Sequence, residues 1–193
     1  MTHVTIVASP AHPETRSPHR LQWPDEAACA EAAAHLAQTL APGLREGASM
    51  VIELDGTLGA GKTTFTRHLL RALGVQGRIK SPSYAVVEPH LLPDMAIHHF
   101  DFYRFNDPQE WEDAGFRDIF AAPGLKLVEW PDKAAGLLPA PDLRLHIEVD
   151  EQEVRHVCAE AGTLPGHRLL TAWTSPSAVS SGVQPSAAEV PHA

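Results

Sequence analysis

The chain has 193 residues, of which 44% are hydrophobic and 20% charged, with a formal net charge of −9 when His is neutral. That length suits one domain with a sizeable core. The acidic balance excludes a general nucleic-acid coat, DNA included, because such affinity comes mainly from Lys and Arg on phosphates. No uninterrupted apolar stretch is long enough to span a bilayer, and no basic region leads an apolar run near Met1, so a cytoplasmic protein is expected.

Residues 1–20 read as an N-terminal extension, with Val4 to Val7 able to pair as a short strand. Pro24-Asp25-Glu26 opens an Ala-rich helix that runs to about Leu40 and ends at Pro42-Gly43. Met50 to Leu54 is a strand, and Thr63 to Leu73 a helix with Phe65, Leu69, Leu70 and Leu73 on one face and Arg67 and Arg71 off it. Gly74 is placed to stop that helix. Arg78 to Ser83 is a polar loop, followed by strands at Tyr84 to Glu88, closed by Pro89, and at Met95 to Phe102. Asp107-Pro108 caps one or two short helices up to residue 120. Leu125 to Trp130 is a strand, Leu143 to Val149 and Val154 to Ala159 form a hairpin, and residues 167–173 add a last short element. Residues 174–193 contain no Lys, Arg or aromatic residue, the composition of a disordered tail. With the glycine-rich, phosphate-loop motif Gly56 to Thr63 set between a strand and a helix, these elements read as an α/β, P-loop NTPase-like domain over residues 21–173. Its central sheet is mostly parallel and flanked by helices, with antiparallel strands at one edge.

Gly56-Thr57-Leu58-Gly59-Ala60-Gly61-Lys62-Thr63 fits the phosphate-binding pattern G-x-x-x-x-G-K-[ST], between a strand and a helix as that motif requires. The glycines let backbone N–H groups of Leu58 to Thr64 turn toward phosphate oxygens. Lys62 reaches the β/γ-phosphates, and the Thr63 hydroxyl is placed for Mg²⁺. Binding alone is not turnover, which needs an acidic group near the metal or the attacking water. Glu129 ends an apolar strand, at the sheet end where open α/β folds bind ligands. By position it is either that group or an exposed residue starting a loop. Asp101 is the second candidate, and Arg104 either pairs with it or reaches a phosphate. Lys80-Ser81-Pro82-Ser83-Tyr84 suits either a phosphate-sensing segment or an ordinary turn. His98 and His99 are adjacent, so they point to opposite faces of a strand and do not share a metal. Trp130 is read as packing or a lid on the nucleotide, and Trp23, Trp111 and Trp173 as core. Cys29 and Cys158 show no metal spacing and are read as reduced, mostly buried thiols.

Several motifs in order resemble the TsaE family: the loop at 56–64, Lys-Ser-Pro-Ser-Tyr at 80–84, Val-Glu-Pro at 87–89, His-Phe-Asp-Phe-Tyr-Arg at 99–104 and Leu-Val-Glu-Trp-Pro at 127–131. The resemblance implies slow hydrolysis of ATP with Mg²⁺ and two protein partners, TsaD and TsaB. Those partners form the core that places threonylcarbamoyl on adenosine 37 of tRNAs reading codons that begin with A, so tRNA is met through the complex. Carried onto this sequence, Lys62 would contact phosphates, Thr63 and Glu129 would hold Mg²⁺, and Asp101 would support a water. Ser83 would lie in a switch-like loop, Trp130 beside the site, and Pro24 to Glu26 near the nucleoside. The chain departs from the family pattern at Thr57, usually acidic, and at Ser83, usually Thr. A small-molecule kinase and a non-catalytic, ATP-dependent assembly module are the competing readings. Only Lys133 and Arg144 in residues 131–145 offer a kinase-type lid its cations.

Overall fold

The computed structural model describes residues 18–175. In chain order the elements are β1 (His19–Trp23), α1 (Glu26–Arg45), β2 (Ser49–Asp55), α2 (Lys62–Ala72), β3 (Val87–Leu92), β4 (Met95–Asp101), α3 (Pro108–Asp113), α4 (Phe116–Ala121), β5 (Gly124–Glu129), β6 (Leu143–Val149), β7 (Arg155–Ala161) and α5 (Leu164–Thr174). One seven-stranded sheet has the order β1-β7-β6-β2-β5-β4-β3. The four central strands, β6, β2, β5 and β4, are parallel. Antiparallel partners flank them on both sides, β7 and β1 at one edge and β3 at the other. The expectation of one antiparallel edge is corrected to two.

Alternation along the strands divides the interior. Ile52, Leu54, Ile97, Leu125, Leu127 and Leu145 pack under α1, α2 and α5. Phe100, Phe102 and Val128 turn to the other face, where Trp111, Phe116 and Phe120 of α3 and α4 close an aromatic cluster. Phe100 sits at the centre of that cluster, edge-on to Phe116 at 5.4 Å and 4.9 Å from Phe120. Each β4 residue pair therefore offers one side chain to the front of the sheet and one to the aromatic slab behind it.

Several boundaries differ from the sequence expectation, α5 for one starting at Leu164 instead of 167, and three have a clear physical cause. β1 begins at His19, inside the segment read as an extension, because its apolar Leu21 and Trp23 gain a partner in β7, over a hundred residues away. The proposed Val4–Val7 strand lies outside the described residues, as does residue 176 onward of the expected tail. α1 passes through Pro42 to Arg45. Pro42 forfeits one helical hydrogen bond, but Leu44 stays buried on the stripe that carries Leu36 and Leu40, and that burial holds the last turn. β3 starts at Val87 and runs through Pro89, which was expected to close it. An edge strand tolerates Pro because one row of its N–H groups needs no ladder partner.

The helix after the glycine loop follows the prediction closely. Phe65, Leu69, Leu70 and Leu73 are all buried, and Gly74 takes a left-handed φ of +106°. The Gly74 and Val75 amides close the helix end by donating to the Arg71 and Leu70 carbonyls.

Candidate active site

The chain leaves β2 into a loop that only glycine allows at its first position. A Cβ on Gly56, at φ +140°, would stand 2.3 Å from the Ile147 carbonyl oxygen. Gly61 caps α2 at φ +108°, so the first amides of that helix face the loop's concavity, where an anion gains from both N–H groups and helix dipole. Lys62 is buried, and its ammonium donates to the carbonyls of Gly56 at 2.6 Å and Thr57 at 2.9 Å. It also stands 3.8 Å from the centre of the Trp130 ring. Burial pushes the Lys62 pKa down, while Glu129, Asp55 and Asp101 oppose that shift.

Trp130 earns its place through an uncommon backbone. It takes φ +59°, directly after the last residue of β5, and its amide donates to the Leu54 carbonyl at 3.3 Å. The turn sends the ring back over Lys62 and against Tyr103, with ring centres 5.0 Å apart.

Glu129 and Asp101 are neighbours across β5 and β4 and are both buried. The Thr63 hydroxyl donates to Glu129 Oε2 at 2.7 Å, and His99 Nε2 lies 2.8 Å from Glu129 Oε1. Asp101 accepts from the Ser81 hydroxyl, and from the Tyr103 amide at 2.9 Å. Arg104 does not pair with Asp101; its guanidinium lies over the Tyr84 ring, 4.4 Å from the centre. Two buried carboxylates thus share the neighbourhood of a single ammonium, an arrangement that a divalent cation would compensate. A hydroxyl and carboxylate oxygens are the hard donors that suit Mg²⁺, which also takes waters and phosphate oxygens. Among the described residues no group of three or more His, Cys, Asp and Glu side chains is set to hold a metal ion by itself.

A cavity of about 360 Å³ opens here, lined by Leu58, Gly59, Gly61 to Thr64, Ser81, Ser83, Asp101, Tyr103, Arg104, Glu129 and Trp130. The predicted site residues from the loop, β4 and β5 therefore converge, with Ala60 buried just behind the loop. A second cavity of about 230 Å³ shares Gly61 and Thr64 and adds Trp23, Asp25, Glu26, Cys29, Ala60 and Arg155. Glu26 lines it and pairs with His68 at 3.0 Å, whereas Pro24 is exposed in the turn and outside the lining. Burial pushes the Cys29 thiol up to about 11, with Glu26 adding to the shift and Arg155 opposing it, which favours the protonated thiol. Sequence reasoning gave no role to Arg155 or His99. Arg155 follows a turn at the far end of a hairpin, and nothing local signals it. His99 lies inside a recognised motif, but only the β4–β5 register brings it to Glu129.

The family model for threonylcarbamoyl adenosine biosynthesis protein TsaE matches residues 23–157. This chain belongs to the TsaE family. The chain is 39% identical over 127 residues to the Haemophilus influenzae tRNA threonylcarbamoyladenosine biosynthesis protein TsaE, covering 66% of this chain and 80% of the relative. The Streptomyces coelicolor protein of the same name is 37% identical over 147 residues, 72% of this chain and 95% of that one. The Bacillus subtilis TsaE is 36% identical over 107 residues, 54% and 66% of the two chains. The crystal structure of YdiB from Bacillus subtilis superposes with a TM-score of 0.64 at 23% identity, over 82% of this chain and 97% of that one, which establishes the shared fold. The TsaE match runs from Trp23, the last residue of β1, to Val157, the third residue of β7, and so contains the glycine loop, both carboxylates and Arg155. The described residues contain no helix long and apolar enough to cross a membrane.

Proposed function

We propose that this chain is the ATP-binding, slowly hydrolysing accessory subunit of a tRNA threonylcarbamoyladenosine-forming complex, with TsaD and TsaB as partners. Family membership supports the process. The observation that carries the activity is the Thr63 hydroxyl bonded to a buried Glu129 at the mouth of α2.

In this reading the first cavity takes the triphosphate and the second the nucleoside. The α2 amides and Lys62 hold the phosphates, and Lys62 exchanges loop carbonyls for phosphate oxygens as ligand enters. Thr63 and Glu129 would hold Mg²⁺, which would supply positive charge to offset that of the phosphates. Asp101, fixed by Ser81 and the Tyr103 amide, would orient an attacking water. Ser83 senses that phosphate from its loop, and Trp130 covers the Lys62 side. Arg155 and Glu26 flank the nucleoside. With a net charge of −9, the chain meets tRNA through its partners.

The kinase reading loses its remaining support from Arg144, whose guanidinium is committed to Glu53 at 2.6 and 2.8 Å. That leaves only Lys133 for a cationic lid in residues 131–145. The test is Mg²⁺-dependent ATP turnover by the chain alone and with the TsaD–TsaB pair. Weak turnover that rises with the pair is expected. Clear ATP binding with no response to the pair would overturn the accessory-ATPase reading.

A further inference from the structure

Both oxygens of Glu129 are engaged, Oε2 by the Thr63 hydroxyl at 2.7 Å and Oε1 by His99 Nε2 at 2.8 Å. His99 is completely buried, and its Nδ1 has no hydrogen-bond partner among the described residues. That asymmetry identifies the donor. A proton on Nδ1 would be a buried N–H without an acceptor, whereas a proton on Nε2 satisfies Glu129 and leaves only an unfilled acceptor lone pair. A residue needed only to fill space here would leave Oε1 of a buried carboxylate without a donor, which costs more than any gain in apolar packing.

We infer that His99 is a positioning residue: its Nε2–H grips one oxygen of Glu129 and so fixes the other toward Thr63 and the cation-binding space. A carboxylate with one free oxygen rotates about its terminal bond, and that rotation removes Oε2 from the Thr63 side. Donors of this kind behind a ligating group commonly change metal affinity or activity by about 10–100-fold when removed. The inference rests on the reading above that Glu129 and Thr63 hold Mg²⁺. It adds that the precision of that pair comes from β4, a strand whose next inward residue is Asp101.

The test compares His99→Leu, which keeps much of the volume, with His99→Gln, whose amide N–H can stand in for Nε2–H. Glu129→Ala sets the floor. The first readout is the Mg²⁺ dependence of binding of a fluorescent ATP analogue, and the second is turnover. In His99→Leu the Mg²⁺ needed for half-maximal effect is expected to rise about 10–100-fold while metal-free analogue affinity stays within about twofold, and His99→Gln is expected to recover most of the loss. ¹⁵N NMR of the imidazoles in the unaltered protein is expected to find His99 protonated at Nε2, a readout that survives even if His99→Leu fails to fold. A wild-type Mg²⁺ dependence in folded His99→Leu overturns the inference. So does an equal loss in folded His99→Leu and His99→Gln, or a proton found on Nδ1. Mg²⁺-tightened analogue binding without turnover would sink the hydrolase reading alone, and the binding readout would still decide His99. Analogue binding that ignores Mg²⁺ in the unaltered protein would sink both.

Discussion

Replacing Lys62 by Ala removes an ammonium that has partners before any ligand arrives. A charge-assisted hydrogen bond contributes about 1.5–3 kcal/mol when the competitor is water. Here the competitors are the Gly56 and Thr57 carbonyls at 2.6 and 2.9 Å and the Trp130 ring at 3.8 Å. Part of the phosphate contact therefore replaces contacts already made, and the loss falls at the low end, about 1.5 kcal/mol or roughly 12-fold in Kd for ATP. The unliganded fold should lose some stability, because Glu129, Asp55 and Asp101 lose the ammonium that offsets their charge, but two effects limit the loss. Thr57 O keeps the Ala60 amide at 3.1 Å, and deleting a buried ammonium relieves the desolvation that lowers its pKa. The assay is isothermal titration with ATP in Mg²⁺, paired with a thermal melt of the unliganded protein. A Kd within about twofold of the unaltered protein would refute the phosphate role assigned to Lys62. A large drop in melting temperature without ligand would show that its bonds to the loop carbonyls are a structural brace.

Glu129→Ala is expected to lose Mg²⁺-dependent turnover by about 100-fold or more while metal-free nucleotide binding survives, and an undiminished rate would contradict the catalytic assignment. Gly56→Ala must move β6 or the loop to relieve a 2.3 Å approach to Ile147 O. The expected cost is about 2–3 kcal/mol, seen in calorimetry as a Tm lower by roughly 5–10 °C. His146 has its pKa raised above 6.5, first by its hydrogen bond to Asp55 and further by Glu148. The stability from that pairing is therefore complete below 6.5 and is lost as pH rises through the raised value. His146→Asn should destabilise more in urea unfolding at about pH 5.5 than at about pH 8.5, and by a small amount because the pair is half exposed. The reverse order would show that the neutral ring is the favoured form.

The glycine loop, Lys62, Thr63, Glu129 and Asp101 were legible because each sits where a local pattern ends. A strand finishes, a helix starts, and phosphate chemistry restricts what fills the gap. α2 was legible for the same reason, since one face is apolar from Phe65 to Leu73. The failures share a different cause. β1 is a short strand whose apolar face is completed by β7, and Pro89 is acceptable only because β3 ends the sheet. Pro42 sits within a helix because Leu44 has a core to reach. Each of these depends on a neighbour that the local sequence does not name. His99 and Arg155 belong with them: one is recruited by sheet register and the other by a hairpin that folds back toward α2. Arg104 shows the converse, a nearby opposite charge to Asp101 that the chain directs instead onto Tyr84.

β4 has a consequence for motion. Its front carries His99 and Asp101, and its back carries Phe100, which is wedged into rings from α3 and α4. Amides of such a strand open to solvent only when the whole domain unfolds. The loop that brings Ser81 and Ser83 to the same cavity has no ladder of its own and includes Val86 at φ +65°, a costly state for a β-branched residue. Hydrogen exchange should therefore be slow at the β4 amides paired with β5 and faster in the loop, with the Asp101 amide, which donates to the Val86 carbonyl at 2.8 Å, as the link between them. Work done by the nucleotide cycle would then be delivered through the loop, with the strand as its fixed reference.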